Sequence, residues 1–295
     1  MRLRGLRNCV SRLVPNSPLG NRLIALPLFR RHIGRWPLRP ECDGADFNDF
    51  VFERMVRNGW SDLERRCTDK ELAKAEAKRL CPGVRISETV EVFRVSAPDA
   101  QARLTGCAGR SLVAKPTHSA GFVLWMSERP SPAETVRFLA GAAGDHFLKY
   151  RESQYAGLEK KILLEEQLPG GIGDRDYKVS CAWGEPFCCE VVTGRRTHKQ
   201  ISFFSVPDFV LQQGGVAGCP RGSCGPPANL ELILACCREL SQPFSFVRVD
   251  VYSDGTDVWF GEFTFTPGGA MEPFEGSVGR WLLEEYSARC GGRRA

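Results

Sequence analysis

No aspartate or glutamate occurs before Glu41, although the first forty residues carry nine arginines. The chain of 295 residues has a formal net charge of only +5, so the basic excess belongs to an arm. A general nucleic-acid binder spreads Lys and Arg over its folded face, and no nucleic-acid partner is expected here. No run of eighteen apolar residues is present, which argues against a membrane-spanning helix. The early apolar stretches are short and broken by Arg and Pro, unlike a secretory signal. The phosphate loop G-x-x-x-x-G-K-[ST] is absent. Cys219 and Cys224 flank a Pro/Gly/Arg loop, but no second pair of ligands stands nearby to make a zinc site. Internal repeats and long low-complexity tracts are also missing.

Thirteen cysteines are present, an odd number. Cys188-Cys189 and Cys236-Cys237 lie in apolar segments, where Cys acts as a small hydrophobe. They are expected to be reduced and buried, in a cytoplasmic protein peripheral to the inner face of the membrane. Hydrophobic residues at 42% and charged residues at 25% suffice for a sizeable core without staples. The length suits one large domain or two to three small lobes sharing a cleft.

Residues 1–44 read as a basic arm with short apolar clusters such as Leu23-Ile24-Ala25-Leu26. Three readings stay open: an amphipathic arm for anionic lipid or a partner such as a glycosyltransferase, an organellar transit peptide, or a loosely packed extension. Residues 46–80 are helical by spacing, with Thr68-Asp69-Lys70-Glu71 a capped start and Pro82-Gly83 a stop. Strands are expected at 90–95, 111–115, 121–125 and 161–166, with helices across 131–160. A hairpin around Gly184 joins 177–182 to 186–192, and a helix covers 229–241. Two more strands, 246–252 and 258–265, flank the turn Ser253-Asp254-Gly255-Thr256-Asp257. The Gly/Pro/Cys-rich segment 214–227 reads as an exposed, mobile loop able to form part of a lid. Paired strands outnumber crossovers, which predicts an α+β fold.

The strongest chemical signal is Phe246-Val247-Arg248-Val249-Asp250-Val251-Tyr252 followed by Trp259-Phe260-Gly261-Glu262-Phe263-Thr264. Each apolar strand carries a central carboxylate, which costs several kcal/mol (~3–5) unless paired or metal-bound. Antiparallel pairing would bring Asp250 and Glu262 together, and a divalent cation would remove their repulsion; Mg²⁺ suits carboxylates plus phosphate oxygens. Arg248 shares a strand face with Asp250 and can stabilise developing charge. An ordinary ion pair of Arg248 with Asp250 or Glu262 is the alternative. A second signal is Ser111 to Gly121: Lys115 ends a strand and a small-residue loop, His118-Ser119-Ala120-Gly121, follows. A third is Ile162-Leu163-Leu164-Glu165-Glu166-Gln167-Leu168 with Asp174-Arg175-Asp176-Tyr177-Lys178, which would suit an adenine-binding hinge. Arg195-Arg196 at a strand end could reach phosphate. Taken singly, each of these three also reads as solvated surface charge.

The order of these pieces resembles the ATP-grasp superfamily. Ala45 to Asp49, Thr68-Asp69-Lys70, Lys115 to Gly121, Glu165, Asp176-Tyr177-Lys178, Val247 to Asp250 and Phe260 to Thr264 resemble its TupA-like (teichuronopeptide-biosynthesis) branch, over roughly residues 45–285. The resemblance implies two α+β lobes, with mostly antiparallel sheets, clasping a nucleotide cleft. It divides the chain into the arm at 1–44, an N-terminal lobe at 45–110, a small lobe at 111–170, a large lobe with the metal site at 171–285 and a tail at 286–295. It also implies ATP and Mg²⁺ as cofactors. Lys115 and Lys178 would contact phosphates and His118, Ser119, Ala120 and Gly121 would close over them. Glu165, Glu166, Gln167 and Leu168 would hold adenine, Asp176 the ribose, and Arg195 the γ-phosphate. Asp250, Glu262 and Thr264 would hold metal, with Arg248 steadying the tetrahedral intermediate. Two departures stand out: the branch has H-G-S-G where this chain has His118-Ser119-Ala120-Gly121, and Thr264 replaces the Asn of many ATP-grasp enzymes. The implied activity is carboxylate–amine ligation through an acyl phosphate, in cell-surface polymer assembly. A kinase-like phosphotransferase and a non-catalytic scaffold for a glycosyltransferase are the alternatives.

Overall fold

Helix caps and hairpin turns written in the sequence account for most elements of the computed structural model, which describes residues 11–170, 172–194 and 197–291. Helix α1 (Pro18–Ile33) starts where the Ser17 hydroxyl accepts from the Gly20 amide, and ends at Gly34 in the left-handed region (φ 84). Helix α2 (Phe47–Val56) has a capping box between Asp46 and Asp49. Helix α3 (Asp62–Thr68) has another, between Ser61 and Glu64. Asp69 then caps helix α4 (Lys70–Leu80), accepting from the amides of Glu71 and Leu72, as the sequence predicts. The chain continues through strands β1 (Arg85–Ile86) and β2 (Thr89–Arg94), helix α5 (Ala100–Gly106), and strands β3 (Leu112–Pro116) and β4 (Leu124–Trp125). Helices α6 (Pro132–Ala142) and α7 (His146–Tyr150) precede strands β5 (Lys161–Glu166), β6 (Arg175–Ala182), β7 (Glu185–Thr193) and β8 (Gln200–Ser205). Two short strands, β9 (Val210–Leu211) and β10 (Gly215–Val216), lead to helix α8 (Leu230–Ser241). Strands β11 (Val247–Ser253), β12 (Val258–Thr264) and β13 (Phe274–Glu275) and helix α9 (Val278–Gly291) complete the described chain.

The strands form two main sheets. The smaller has the order β2-β5-β3-β4 and is antiparallel throughout. Its period-two alternation sends Leu112, Ala114, Ile162 and Leu164 into a core with Leu104 of α5 and Phe138 of α6. Lys115, Leu163 and Glu165 face the other way, into the cleft. The larger sheet has the order β1-β12-β11-β6-β7-β8-β9, with β1 parallel to β12 and every other pairing antiparallel. Val179, Cys181, Val247, Val249 and Val251 pack on Ile233, Leu234 and Cys237 of α8 and on Ala73 and Ala77 of α4. The opposite face packs Ala182, Cys188, Val192 and Phe203 with α1, α2 and α9. Only Ser87 and Glu88 separate β1 in the large sheet from β2 in the small one, so the strands of 85–94 are divided between the two sheets.

Helix α1 shows that the part of the basic arm from Pro18 onward carries core residues: Ala25 and Phe29 are fully buried, and Phe29 meets Phe52 edge-on at 5.1 Å. Arg22 pairs with Glu53, and Arg35 with Asp49 at 2.6 Å. Upstream, the fully buried Arg151 is wrapped by Ser11, Val14, Pro15 and Asn21. The segment 214–227, expected to be mobile, is stitched down. Its strand β10 pairs with β13, Ser202 and Gly222 bond each other twice (2.8 and 2.9 Å), and the Ile201 amide donates to the Pro220 carbonyl at 3.0 Å. The expected strand 121–125 forms only at its end, as β4. Strand β8 and helix α9 were not anticipated. Eight cysteines are buried, and no disulfide joins the described residues. Among those residues no helix is long and apolar enough to cross a membrane.

Candidate nucleotide and metal site

Strand register builds one wall of the cleft. Glu190 on β7 pairs with Lys178 on β6, Lys178 with Asp250 on β11, and Asp250 with Glu262 on β12. Four side chains on one face therefore form a row across four strands, with signs −, +, −, −. The two adjacent carboxylates are neutralised by the cations around them: Lys178 and Arg248 at Asp250, and Lys70 at 3.4 Å from Glu262. Arg248 and Thr264 pair in the next rung. Arg248 donates through Nε to Asp250 Oδ1 at 2.7 Å and through Nη2 to Oδ2 at 3.0 Å, and its Nη1 lies 3.5 Å from Glu190 Oε2. Its Nη2 also reaches the Thr264 hydroxyl at 3.4 Å. Lys178 bonds Asp250 Oδ2 from the other side and lies 3.8 Å from Asp176.

A bulge shapes this floor. Register shifts between Asp250 and Val251, leaving Gly261 as the extra residue of β12. A Cβ there would stand 2.9 Å from the Asp250 carbonyl and 3.0 Å from the Tyr252 ring. Glycine is required, and its bare backbone opens onto the cleft.

The small sheet and α4, which packs on the large sheet, bring further cations to the cleft. Lys115 of β3 and Lys74 of α4 both bond Glu165 of β5. Lys74 also donates to the Ser87 carbonyl at 2.9 Å and the Thr89 hydroxyl at 3.0 Å. Lys70, one turn earlier on the same helix, donates to the Ser119 carbonyl at 2.7 Å and lies 3.4 Å from Glu262. Between the walls lies a cavity of about 310 Å³ lined by Lys70, Lys74, Lys115 and Lys178 and by Glu165, Asp250 and Glu262. Lys115, Trp125, Glu165, Tyr252 and Gly261 also line an adjoining cavity of about 240 Å³, to which Val113, Leu168 and Phe260 add apolar surface and Glu166, Asp174 and Asp176 add carboxylates. The cleft thus has a lysine-rich end and a second cavity of mixed polar and apolar lining.

Electrostatics follow from this crowding. Burial would raise the Glu262 carboxyl, but the charges of Lys70, Lys178, Arg248 and Lys115 outweigh it and hold the group at about 2. Glu165 is likewise shifted down, because Lys115 and Lys74 overcome its burial. Burial lowers the Lys74 ammonium, against the pull of Glu165. Glu190 is raised by burial, although Arg248 and Lys178 draw it back. For Arg248 burial acts downward, yet Asp250 and Glu190 more than compensate and raise it.

The structure gathers Lys115, Gly121, Glu165, Lys178, Asp250 and Glu262 around the first cavity, and Glu166, Gln167, Leu168 and Asp176 around the second. Arg248 and Thr264 sit one rung behind Asp250 and Glu262. His118 departs from expectation: its Nε2 bonds the Ala142 carbonyl at 2.9 Å, which draws the imidazole back onto α6 and away from the cleft. Ser119 presents its carbonyl to Lys70, while its hydroxyl is buried. Ser119 and Ala120 line neither cavity, so Gly121 is the loop residue that meets the cleft. Arg195 lies outside the described residues. Lys70, Lys74, Trp125, Tyr252 and Glu190 were missed. The i, i+4 spacing of Lys70 and Lys74 on the face that carries Ala73 and Ala77 was the available signal for the first two.

Among the described residues no group of three or more His, Cys, Asp and Glu side chains could hold a metal ion. Asp250 and Glu262 nonetheless fit a hard divalent cation that takes its remaining ligands from phosphate and water.

A family model described as TupA-like ATP-grasp matches residues 105–286, well over half of the chain. The chain belongs to the TupA-like ATP-grasp family. Its fold is the ATP-grasp fold, in which two α+β lobes with mostly antiparallel sheets flank the cleft. A comparison with curated proteins found no match. Among solved structures the chain is similar to the D-alanine–D-alanine ligase of Bacillus anthracis complexed with ATP, at 14% identity and a TM-score of 0.39, covering 76% of this chain and 61% of that one. It is also similar to the ATP-grasp ligase PsnB complexed with a minimal precursor (12% identity, TM-score 0.41, 78% and 62% covered). A third is the macrocyclase MdnC of Microcystis aeruginosa bound with its precursor peptide MdnA (11%, TM-score 0.40, 81% and 68%). The chain spans about three fifths of the length of the first two.

Proposed function

We propose that this TupA-like ATP-grasp protein is an ATP-dependent ligase that activates a carboxylate and joins it to an amine. The observation that carries this reading is the row Glu190–Lys178–Asp250–Glu262, gathered with Lys70, Lys74 and Lys115 around one cavity that adjoins a second lined in part by Val113, Leu168 and Phe260. The second cavity suits a purine between Val113, Leu168 and Phe260, with the carboxylate of Asp176 beside it for the ribose. Lys115 and Lys178 would bind phosphate oxygens as point charges, joined by Lys70 and Lys74. Asp250 and Glu262, with the Thr264 hydroxyl beside them, would hold Mg²⁺, which when bound neutralises the phosphate oxygens during transfer.

In the first step a substrate carboxylate oxygen attacks the γ-phosphorus and ADP leaves, giving an acyl phosphate. An amine nitrogen then attacks the acyl carbon, phosphate departs, and the amine loses a proton. Arg248 is held by Asp250 and Glu190 so that its guanidinium stays charged and oriented while the oxyanion develops. The walls keep bulk water from the acyl phosphate. A uronic acid or acidic polymer as the carboxylate and an amino acid as the amine would place the reaction in cell-envelope polysaccharide assembly.

The test is Mg²⁺-dependent ADP release with a pool of uronic acids and amino acids. Release should need both an acid and an amine. Glu262→Ala should lower it about a hundredfold or more, corresponding to several kcal/mol of charge stabilisation. Folded wild-type protein that binds no nucleotide would overturn the reading.

A further inference from the structure

Helix α1 has two apolar faces, and only one of them is used. Ala25, Leu28 and Phe29 are buried in the core beneath it. On the far side Leu19 and Leu23, one turn apart, are 74% and 59% exposed. The stripe continues through the exposed Pro27 to Arg30. Just before the helix, Leu13 is 85% exposed. Just after it, Trp36 is 50% exposed and lies 4.6 Å from the Arg30 guanidinium.

The charges of the segment that carries this stripe have one sign up to Glu41. Arg22 is engaged by Glu53 and Arg35 by Asp49. Arg12, Arg30, Arg31 and Arg39 are exposed on the same segment as the leucines. No acidic residue occurs in the sequence until Glu41. Isolated leucines flanked by arginines, with a Trp at the rim, match the chemistry of a membrane interface: the apolar tips enter the acyl boundary and guanidiniums meet lipid phosphates. A basic protein partner would be repelled by such a face, whereas an anionic leaflet is complementary to it.

We propose that the outer face of α1, with Leu13, Leu19, Leu23 and Trp36 flanked by Arg12, Arg30 and Arg31, docks the protein on an anionic lipid bilayer. The helix lies on the surface and does not span it, because its inner face is already committed to the core. Insertion is therefore limited to side-chain depth, and docking is reversible and salt-sensitive. This docking is independent of the ligase reading, since none of these residues lines the cleft.

The experiment is co-sedimentation of the full chain with vesicles of phosphatidylglycerol mixed with phosphatidylcholine, and with phosphatidylcholine alone. Wild type should partition at least about tenfold more strongly onto the anionic vesicles, and high salt should release it. Leu19→Asp/Leu23→Asp and Arg30→Glu/Arg31→Glu should each weaken binding by about tenfold or more while unfolding within a few degrees of wild type. Equal partitioning onto both vesicle types would overturn the proposal, as would retention of wild type in the supernatant or undiminished binding by the leucine variant. Light scattering that shows a dimer lost on Leu19→Asp/Leu23→Asp would also overturn it, by assigning the face to a second copy of the chain. Binding transferred wholly to a soluble polyanion, with the leucines irrelevant, would do the same.

Discussion

The two sheets meet the cleft by different means. On the large sheet, β-register fixes the charges: Glu190, Lys178, Asp250 and Glu262 sit opposite one another because their strands pair that way, and each contacts or adjoins the next. On the small sheet Lys115 and Glu165 face the first cavity and Glu166 the second, and α4 completes the cation set with Lys70 and Lys74. One wall is pre-paired and its side chains are mutually dependent. The other converges on one acid from two elements, with Lys115 still 26% exposed. Charge positions set by register are robust to local change but intolerant of a missing member, whereas convergent lysines lose only their own share.

The contrast can be broken or sharpened in order of effect. Asp250→Ala should be the most damaging, since it strips the shared partner from two buried cations, Lys178 and Arg248. A loss of about 3–5 kcal/mol is expected in urea denaturation, and an unchanged midpoint would show that the row is not a coupled unit. Glu165→Ala on the small sheet should cost less, about 1–3 kcal/mol, because Lys115 can turn to solvent and mainly Lys74 is left with an unmet partner. A cost equal to that of Asp250→Ala would erase the difference between the walls. The smallest effect belongs to His118. Burial lowers its imidazole, against a modest upward pull from the Ala142 carbonyl. With the folded value below the unfolded one, its contribution is complete above the ordinary 6.5 and is lost as pH falls below that value. Stability should therefore fall as the pH is lowered from about 7.5 to about 6, because the unfolded chain takes up the proton more readily than the folded one. His118→Gln should flatten that part of the stability profile in thermal melts at the two pH values.

The same contrast explains what could be read from the sequence. The hairpin β11–β12 was legible because Ser253-Asp254-Gly255 is a strong turn signal and both flanks alternate. Counting back from the turn brings Asp250 to Gly261, one residue short, and the bulge at Gly261 supplies the shift that sets it opposite Glu262. Asp69 as a cap and Lys161–Glu166 as a strand were equally local. Lys74 was not legible as a cleft residue, because its partner Glu165 comes from the other sheet and only tertiary packing brings them together. Helix α1 escaped because Pro27 interrupts it and apolar side chains occupy two faces, which leaves no single stripe to detect. Strand β8 offers only the short run Ile201-Ser202-Phe203-Phe204, too brief to separate strand from loop by period. His118 misled because its loop position suggested phosphate, while its ring is claimed by the Ala142 carbonyl.

The core is stocked with thiols, and that bears on how the protein fails. Cys181, Cys189 and Cys237 pack together behind the active strands, and burial holds the Cys181 thiol up at about 12. Folded, they are inert as nucleophiles. Opened, each returns toward an ordinary thiol value near about 8.5 and reacts as a thiolate. Oxidation of these three thiols therefore consumes only molecules that have already opened, and it turns a reversible fluctuation into permanent loss. In an oxidising medium the survival of this thiol core is tied to opening of the fold, whereas a reducing compartment lets the folding equilibrium decide.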